Sequence, residues 1–234
     1  MKRFALRQER SAMKIGTDGT LLGAIGGDKA LETGAKRILD IGTGTGLIAL
    51  MTAQKVEGDG TRIIGIEKDP EAAAEAAENV SQSPFASFIE ILEGDFLDYS
   101  PAEPFDLILS NPPFFTATHR APDERRTEAR HIGSLTPESL FLKAAGMLSP
   151  KGQILVIYPV NMSAEFEGAA TASGLYLNEK TLVRTVPGKE PKRSISAFAR
   201  EMCPFTEREL LIRDASGDYA PAYRALLAPF LTIF

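Results

Sequence analysis

Cysteine occurs once in the 234 residues, at Cys203, so no internal disulfide can form. Histidine occurs twice, at His119 and His131, and one thiol with two imidazoles is too small a donor set for a thiolate–imidazole metal site. No metal is expected. Cys203 has no apparent acid–base partner, so it reads as a small packing or surface residue rather than a nucleophile. No run approaches the roughly 18 apolar residues of a membrane span. The opening MKRFALRQERSAMK lacks the uninterrupted apolar stretch of a signal peptide. A cytoplasmic location without membrane association is therefore expected. Internal repeats and low-complexity linkers are absent as well. One domain over 1–234 is expected, with 1–30 as an appended element and 31–234 as the core. Nothing points to a protein partner.

What is present is a composition able to bury a sizeable core, 44% hydrophobic and 24% charged. The net charge of −5 is unevenly spread. Residues 1–14 carry +4, with Lys2, Arg3, Arg7, Arg10 and Lys14 against Glu9. Residues 180–200 carry +5, with Lys180, Arg184, Lys189, Lys192, Arg193 and Arg200 against Glu190, which leaves −14 for the remainder. Two basic segments on an acidic body form one phosphate-binding face if the fold joins them, and otherwise are ordinary solvated runs.

From residue 37 short β-rich apolar runs alternate with helical stretches: RILDIG, a helix over 46–56, RIIGIE, a helix over 70–82, FIEILEG, FDLILS, a helix over 137–148, and GQILVIYP. Repeated βα units imply a parallel sheet covered by helices on both faces. Asp69-Pro70 and Thr136-Pro137 are helix starts, a capping residue followed by proline at the first helical position. A helix near 161–173 precedes three strand-like runs around 175–185, 194–200 and 208–213, an ending that reads as antiparallel. Ahead of the alternation, Gly16-Thr17-Asp18-Gly19 reads as a turn in which Thr17 or Asp18 caps a short helix through Ala24.

The run DIGTGTG at 40–46 follows a buried strand and opens a helix. Gly42, Gly44 and Gly46 let the backbone turn sharply and approach a ligand, while the next helix offers unpaired N–H groups. Two ligands compete for such a loop: a nicotinamide dinucleotide and S-adenosylmethionine. The dinucleotide fingerprint G-x-G-x-x-G places its third glycine at Leu47 when counted from Gly42, or at Ala49 when counted from Gly44. Asp40 would repel a pyrophosphate and attract an ammonium or sulfonium, which favours S-adenosylmethionine. Glu67 ends the second strand, twenty-one residues beyond Gly46, where an acid accepts from both ribose hydroxyls of an adenosine. Asp95 in EGDF is placed to accept from an adenine amino group, or else caps a turn, and Phe96 is available to pack on the ring. Thr43 and Lys68 complete the cofactor-side set.

SNPPFF at 110–115 follows strand FDLILS, at the carboxyl end where ligands bind in open α/β sheets. An exocyclic amino group on a base is a poor nucleophile because its lone pair is delocalised into the ring. The Asn111 side-chain oxygen and the Pro112 carbonyl could each accept one amino N–H and aim the lone pair at a donor methyl. Pro112 and Pro113 stiffen that carbonyl, and Phe114 or Phe115 can stack on a base turned out of its surroundings. The alternative is a rigid proline turn with two core phenylalanines. HRAPDERRTEARH at 119–131 reads as a substrate-facing loop in which Arg125 and Arg126 either clamp phosphate or simply face solvent. Neither histidine is needed as a base in this chemistry.

Taken together, DIGTGTG, Glu67, Gly94-Asp95 and NPPFF resemble the class I Rossmann-like methyltransferases, and NPPF their amino-methylating branch. MKIGTDGTLLGA at 13–24, PKRSISAFA at 191–199 and LLIRDASGDYAPAYRALLAPF at 210–230 are similar to the bacterial valine-tRNA adenine N6-methyltransferases. The match spans nearly the whole chain. It implies N6-methylation of the adenosine immediately 3′ of the anticodon, position 37. It also implies a seven-stranded, mostly parallel sheet with an antiparallel last strand, and Thr17 and Asp18 at the border of the cofactor and active site, where Asn111 touches both. Lys14, Arg125, Arg126, Lys189, Lys192 and Arg193 are then the candidate RNA contacts. LAPFLTIF departs from the family in lacking an acidic residue and a tyrosine before the terminus, which puts the C-terminal packing in doubt. NPPF also suits guanine N2-methylation of ribosomal RNA or methylation of a protein glutamine amide. The basic segments favour RNA, and the GTDG segment and the ending favour tRNA. Outside this chemistry stand a nicotinamide dehydrogenase, disfavoured by the glycine spacing, and a non-enzymatic RNA-binding protein, disfavoured by an intact cofactor loop beside NPPFF.

Overall fold

The computed structural model describes residues 1–11, 14–57, 60–113 and 135–234. Eight strands form one sheet: β1 (Arg37–Ile41), β2 (Arg62–Glu67), β3 (Ile89–Glu93), β4 (Phe105–Ser110), β5 (Leu148–Pro159), β6 (Tyr176–Arg184), β7 (Arg193–Ala199) and β8 (Thr206–Leu211). Their order is β3-β2-β1-β4-β5-β7-β6-β8. Strands β1, β2, β4 and β5 are nearly continuous apolar runs, as strands covered on both faces require. The expected helix starts are present. Asp69 accepts from the Ala72 N–H at 2.9 Å ahead of α3 (Pro70–Ser81), and Thr136 forms a reciprocal capping box with Ser139 ahead of α4 (Pro137–Met147).

Two expectations about the sheet need correction. It has eight strands rather than seven, and the antiparallel strand is β7, not the last one: β7 runs antiparallel to both β5 and β6, while β8 pairs parallel to β6. The cause is the short 200–205 connection, which passes the start of β6 and lets β8 set off in the β6 direction. Asn178, near the start of β6, pins that connection by donating to the Glu201 carbonyl at 2.9 Å and accepting from the Cys203 N–H at 3.0 Å.

Alternation along the strands divides the core. Ile38, Leu107 and Leu109 face a cluster with α1 (Thr17–Thr33), α2 (Leu47–Val56), α3 and α6 (Pro221–Leu227). Leu39, Ile41 and Ile108 face α4 and α5 (Ser163–Ala172). Helix α1 is longer than the expected helix through Ala24, and neither Thr17 nor Asp18 caps it; Gly16 holds the capping position without a side-chain bond. Its length comes from a glycine stripe laid on α2. A Cβ at Gly19 would lie 3.1 Å from Leu47, one at Gly23 3.0 Å from Met51 and one at Gly27 2.7 Å from Lys55. The stripe sets the start of α1 against the start of α2, beside the glycine loop at 40–46.

Ahead of α1 the chain crosses α3. Phe4 packs edge-on against Phe85, and the buried Glu75 carboxylate accepts the N–H groups of Glu9, Arg10 and Ser11 and the Ser11 hydroxyl at 2.6–3.0 Å. Arg3 pairs with Glu57, and Arg7 and Arg10 with Glu78. Three arginines of the N-terminal basic segment are thus paired with Glu57 and Glu78, while the 180–200 segment lies on β6, β7 and the turn between them. LAPFLTIF is well anchored despite its departure from the family pattern: Phe230 is fully buried, Phe234 packs edge-on against Tyr219 and Tyr223, and Lys2 donates to the Phe234 carbonyl at 3.0 Å. No helix among the described residues is long and apolar enough to cross a membrane.

Candidate active site

The carboxyl ends of β1, β2, β3 and β4 place most of the expected site residues on one edge. Ile41 pairs with Ile66 and with Ser110, and Glu67 pairs with Glu93, so the glycine loop, Glu67-Lys68, Gly94-Asp95 and Asn111-Pro112-Pro113 leave the sheet side by side. Gly42, Gly44 and Gly46 all hold left-handed backbone, φ 67°, 55° and 80°, which only glycine adopts freely. Their surroundings differ. A Cβ at Gly46 would pack 3.6 Å from Ala76 on α3, whereas one at Gly42 would meet nothing within 4 Å and one at Gly44 only the Gly42 carbonyl at 4.0 Å. The first two glycines therefore border open space and the third seats the loop on α3.

Asp40 is fully buried beneath this loop. Its Oδ2 accepts from the Thr43 hydroxyl at 2.6 Å and from the Ala49 N–H at 3.2 Å, while Oδ1 has no partner among the described residues. Burial pushes the carboxyl up to about 7, against the pull of those two donors and with a further push from the Glu67 charge. Asp40 thus braces the loop from below, and its orphaned oxygen is the polar demand that a bound cofactor or its water would meet. Glu67 is likewise tied to the loop, Oε2 accepting from the Gly44 N–H at 2.9 Å and Oε1 from the Asp69 N–H at 3.0 Å. Each oxygen keeps a second lone pair.

Asp95 shows the turn-capping contact, Oδ1 accepting from the Leu97 N–H at 2.9 Å, and Oδ2 pairs with Lys68 at 2.7 Å. Burial alone would raise its carboxyl, but Lys68 and the Leu97 N–H together hold it below its ordinary value. Phe96 is buried in the cluster of Ile66 and Ile108. Asn111 is half-buried, Pro112 buried and Pro113 exposed; Phe114, Phe115, Arg125 and Arg126 lie outside the described residues.

Thr17 and Asp18 reach the same edge through the α1–α2 contact, and Asp18 accepts from Arg193 at 2.7 Å, which joins the GTDG segment to the start of β7. Lys192 and Arg193 are thereby brought beside the site. Lys189 is exposed on the β6–β7 turn, and the Lys14 ammonium folds back on the Gln8 carbonyl. Two residues absent from the sequence reading belong to the site's support: Glu75, and Asn79, whose Nδ2 donates at 2.9 Å to both the Arg7 and Thr45 carbonyls. Their signal was readable, two polar residues four apart on the alanine stripe that α3 buries. No cluster of three or more metal-ligating side chains occurs among the described residues.

An open parallel sheet with its sixth position reversed, a glycine loop after the first strand and Asn-Pro-Pro after the fourth define an S-adenosylmethionine-dependent methyltransferase of the class I type. Residues 28–167 match the methyltransferase small domain family. A curated tRNA1(Val) (adenine(37)-N6)-methyltransferase of Porphyromonas gingivalis strain W83 is 44% identical, covering 99% of this chain and 93% of its own length. Its counterpart in Bacteroides thetaiotaomicron is 41% identical over 96% of this chain and 93% of its own. The chain belongs to this family of tRNA1(Val) (adenine(37)-N6)-methyltransferases. The crystal structure of a predicted O-methyltransferase from Agrobacterium tumefaciens superposes with a TM-score of 0.68 at 22% identity, over 91% of this chain and 96% of that one, a likeness of fold.

Proposed function

We propose that this chain, working as one domain in the cytoplasm, methylates N6 of adenosine 37 in tRNA1(Val). The observation that carries the reading is the pairing of Ile41 with Ser110, which sets an open glycine loop and Asn111-Pro112 at adjacent strand ends in a chain 44% identical to a curated enzyme of that name. S-adenosylmethionine supplies an electrophilic methyl group when bound. Gly42, Thr43, Gly44 and Gly46 cradle it, Asp40 braces the cradle, Glu67 accepts from its ribose and Asp95 from its adenine, with Lys68 and Phe96 beside them and Thr17 and Asp18 at the border. The Asn111 oxygen and the Pro112 carbonyl accept the two N–H bonds of the target amino group, so that its lone pair points at the methyl. Pro113 holds that carbonyl still and Phe114 stacks on the extruded base. Lys14, Arg125, Arg126, Lys189, Lys192 and Arg193 contact the RNA.

The test is methyl transfer from labelled S-adenosylmethionine to an unmodified valine tRNA transcript, read by nucleoside mass spectrometry. N6-methyladenosine at position 37 is expected. No transfer to that transcript, despite tight S-adenosylhomocysteine binding, would turn the acceptor to ribosomal RNA guanine N2 or a protein glutamine amide within the same chemistry.

A further inference from the structure

A cavity of about 370 Å³ lies at the ends of β6 and β7, with Thr17, Lys192, Arg193, Arg213, Tyr219 and Tyr223 in its lining. Its floor is held by two backbone bonds of 2.9 Å onto β6 and its extension, Lys192 N–H to the Val183 carbonyl and Arg213 N–H to the Thr185 carbonyl. One wall is the first turn of α1, which has no side-chain cap, so the positive end of the helix adds to the local field. The other wall is the start of α6, where Tyr219 and Tyr223 stack with centroids 5.6 Å apart.

The charge here runs against that of the chain. Three cations line the cavity against one carboxylate, Asp18, and that carboxylate is committed to Arg193. Lys192 is exposed, and its ammonium makes no hydrogen bond or ion pair among the described residues. Arg213 gives one N–H to the Gly217 carbonyl at 2.7 Å and lies 4.4 Å over the Tyr219 ring; no carboxylate pairs with it among the described residues. Stacking explains how Arg213 is held, but not why a second cation stands beside it unneutralised on a protein of net charge −5. Fixed guanidinium and mobile ammonium together suit a phosphate. The position suits one as well. Arg193 on β7 lies two strands over from β4 and pairs with Pro159, just beyond the Val156 that pairs with Ser110, so it stands at the same carboxyl-end edge of the sheet as Asn111.

We infer that this cavity is a phosphate subsite of the RNA substrate, in which Lys192 and Arg213 take a backbone phosphodiester beside the methylated adenosine. It rests on the RNA reading above and adds to it Arg213, preorganised by the tyrosine pair. The contact reads no base; it holds the strand in register while the adenine is presented to Asn111.

Binding of a labelled anticodon stem-loop RNA, followed by fluorescence anisotropy between about 50 and 200 mM salt, tests it on the intact protein. Lys192→Ala, which removes no side-chain hydrogen bond or ion pair among the described residues, and Arg213→Gln are compared with wild type. Each is expected to lower the slope of log affinity against log salt by about 0.7. KM for tRNA rises on the order of tenfold with kcat unchanged, as loss of uniform binding predicts. S-adenosylhomocysteine affinity, measured alongside, stays at the wild-type value and reports an intact fold. Wild-type slope and KM in Lys192→Ala would overturn the subsite while leaving the methyltransferase reading untouched. Salt-dependent RNA binding without methylation of the valine tRNA overturns the proposed substrate instead, and the slopes still decide the subsite. Absence of RNA binding by wild type overturns both.

Discussion

Asn79 joins the Thr45 carbonyl of the glycine loop to the Arg7 backbone, donating through Nδ2 at 2.9 Å to each and accepting the Arg7 N–H through Oδ1 at 2.8 Å. One buried amide on α3 thus fastens the N-terminal segment to the glycine loop. Asn79→Ala leaves these backbone groups without their partner, at a cost of about 2 to 4 kcal/mol. Urea unfolding should show that loss, and titration calorimetry should show weaker S-adenosylhomocysteine binding. A stability change below about 1 kcal/mol would mean that the loop holds itself.

Glu75 makes acid stability readable. Burial tends to raise its carboxyl, but the N–H groups of Arg10, Ser11 and Glu9 and the Ser11 hydroxyl outweigh it and hold the group at about 2. The folded value lies below the ordinary 4.5, so the stabilisation is present above about 4.5 and is lost as pH falls toward 2. Glu75→Gln should cost about 2 kcal/mol at neutral pH, with the deficit shrinking on acidification. Unfolding midpoints of the two proteins that stay a constant distance apart down to acid pH would reject the assignment.

Asp40 acts in the opposite sense. Its folded value of about 7 lies above the ordinary 3.8, so an unfolded chain ionises this group first and stability falls as pH rises between those values. In the absence of cofactor, Asp40→Asn should flatten that decline relative to wild type. Parallel denaturation profiles across the window would show that the buried carboxyl does not titrate there.

Asn111→Ala removes one of the two groups proposed to shape the target nitrogen. The rate should fall ~10²- to 10³-fold with S-adenosylhomocysteine affinity nearly unchanged. Equal loss of rate and cofactor affinity would place Asn111 in the cradle instead of at the acceptor.

The parallel half of the fold was legible because its signals are local: apolar runs, capped helix starts and glycines at fixed offsets. Asp69-Pro70 and Thr136-Pro137 start α3 and α4 at the expected residues. The direction of β8 was not legible, since it depends on where the 200–205 connection passes β6, a contact made by Asn178 at long range. The extent of α1 was readable in principle from Gly19, Gly23 and Gly27, four apart, but only with α2 as the partner. Asp40 was read from its charge as a ligand-facing acid; its full burial depends on packing from several strands. The Arg213 cavity required the stretch from Val183 to Tyr223 to fold back on the start of α1, which no local pattern encodes.

The reversed strand also dictates an order of events during synthesis. Once β5 has left the ribosome its outer edge carries unpaired backbone groups along an apolar strand, the kind of edge that recruits foreign strands. Its proper neighbour, β7, arrives only after the 33 residues from 160 to 192, roughly 2 to 7 seconds later at ordinary translation rates. For that interval the nascent protein has a sticky seam, and a chain released before Arg193 keeps it permanently.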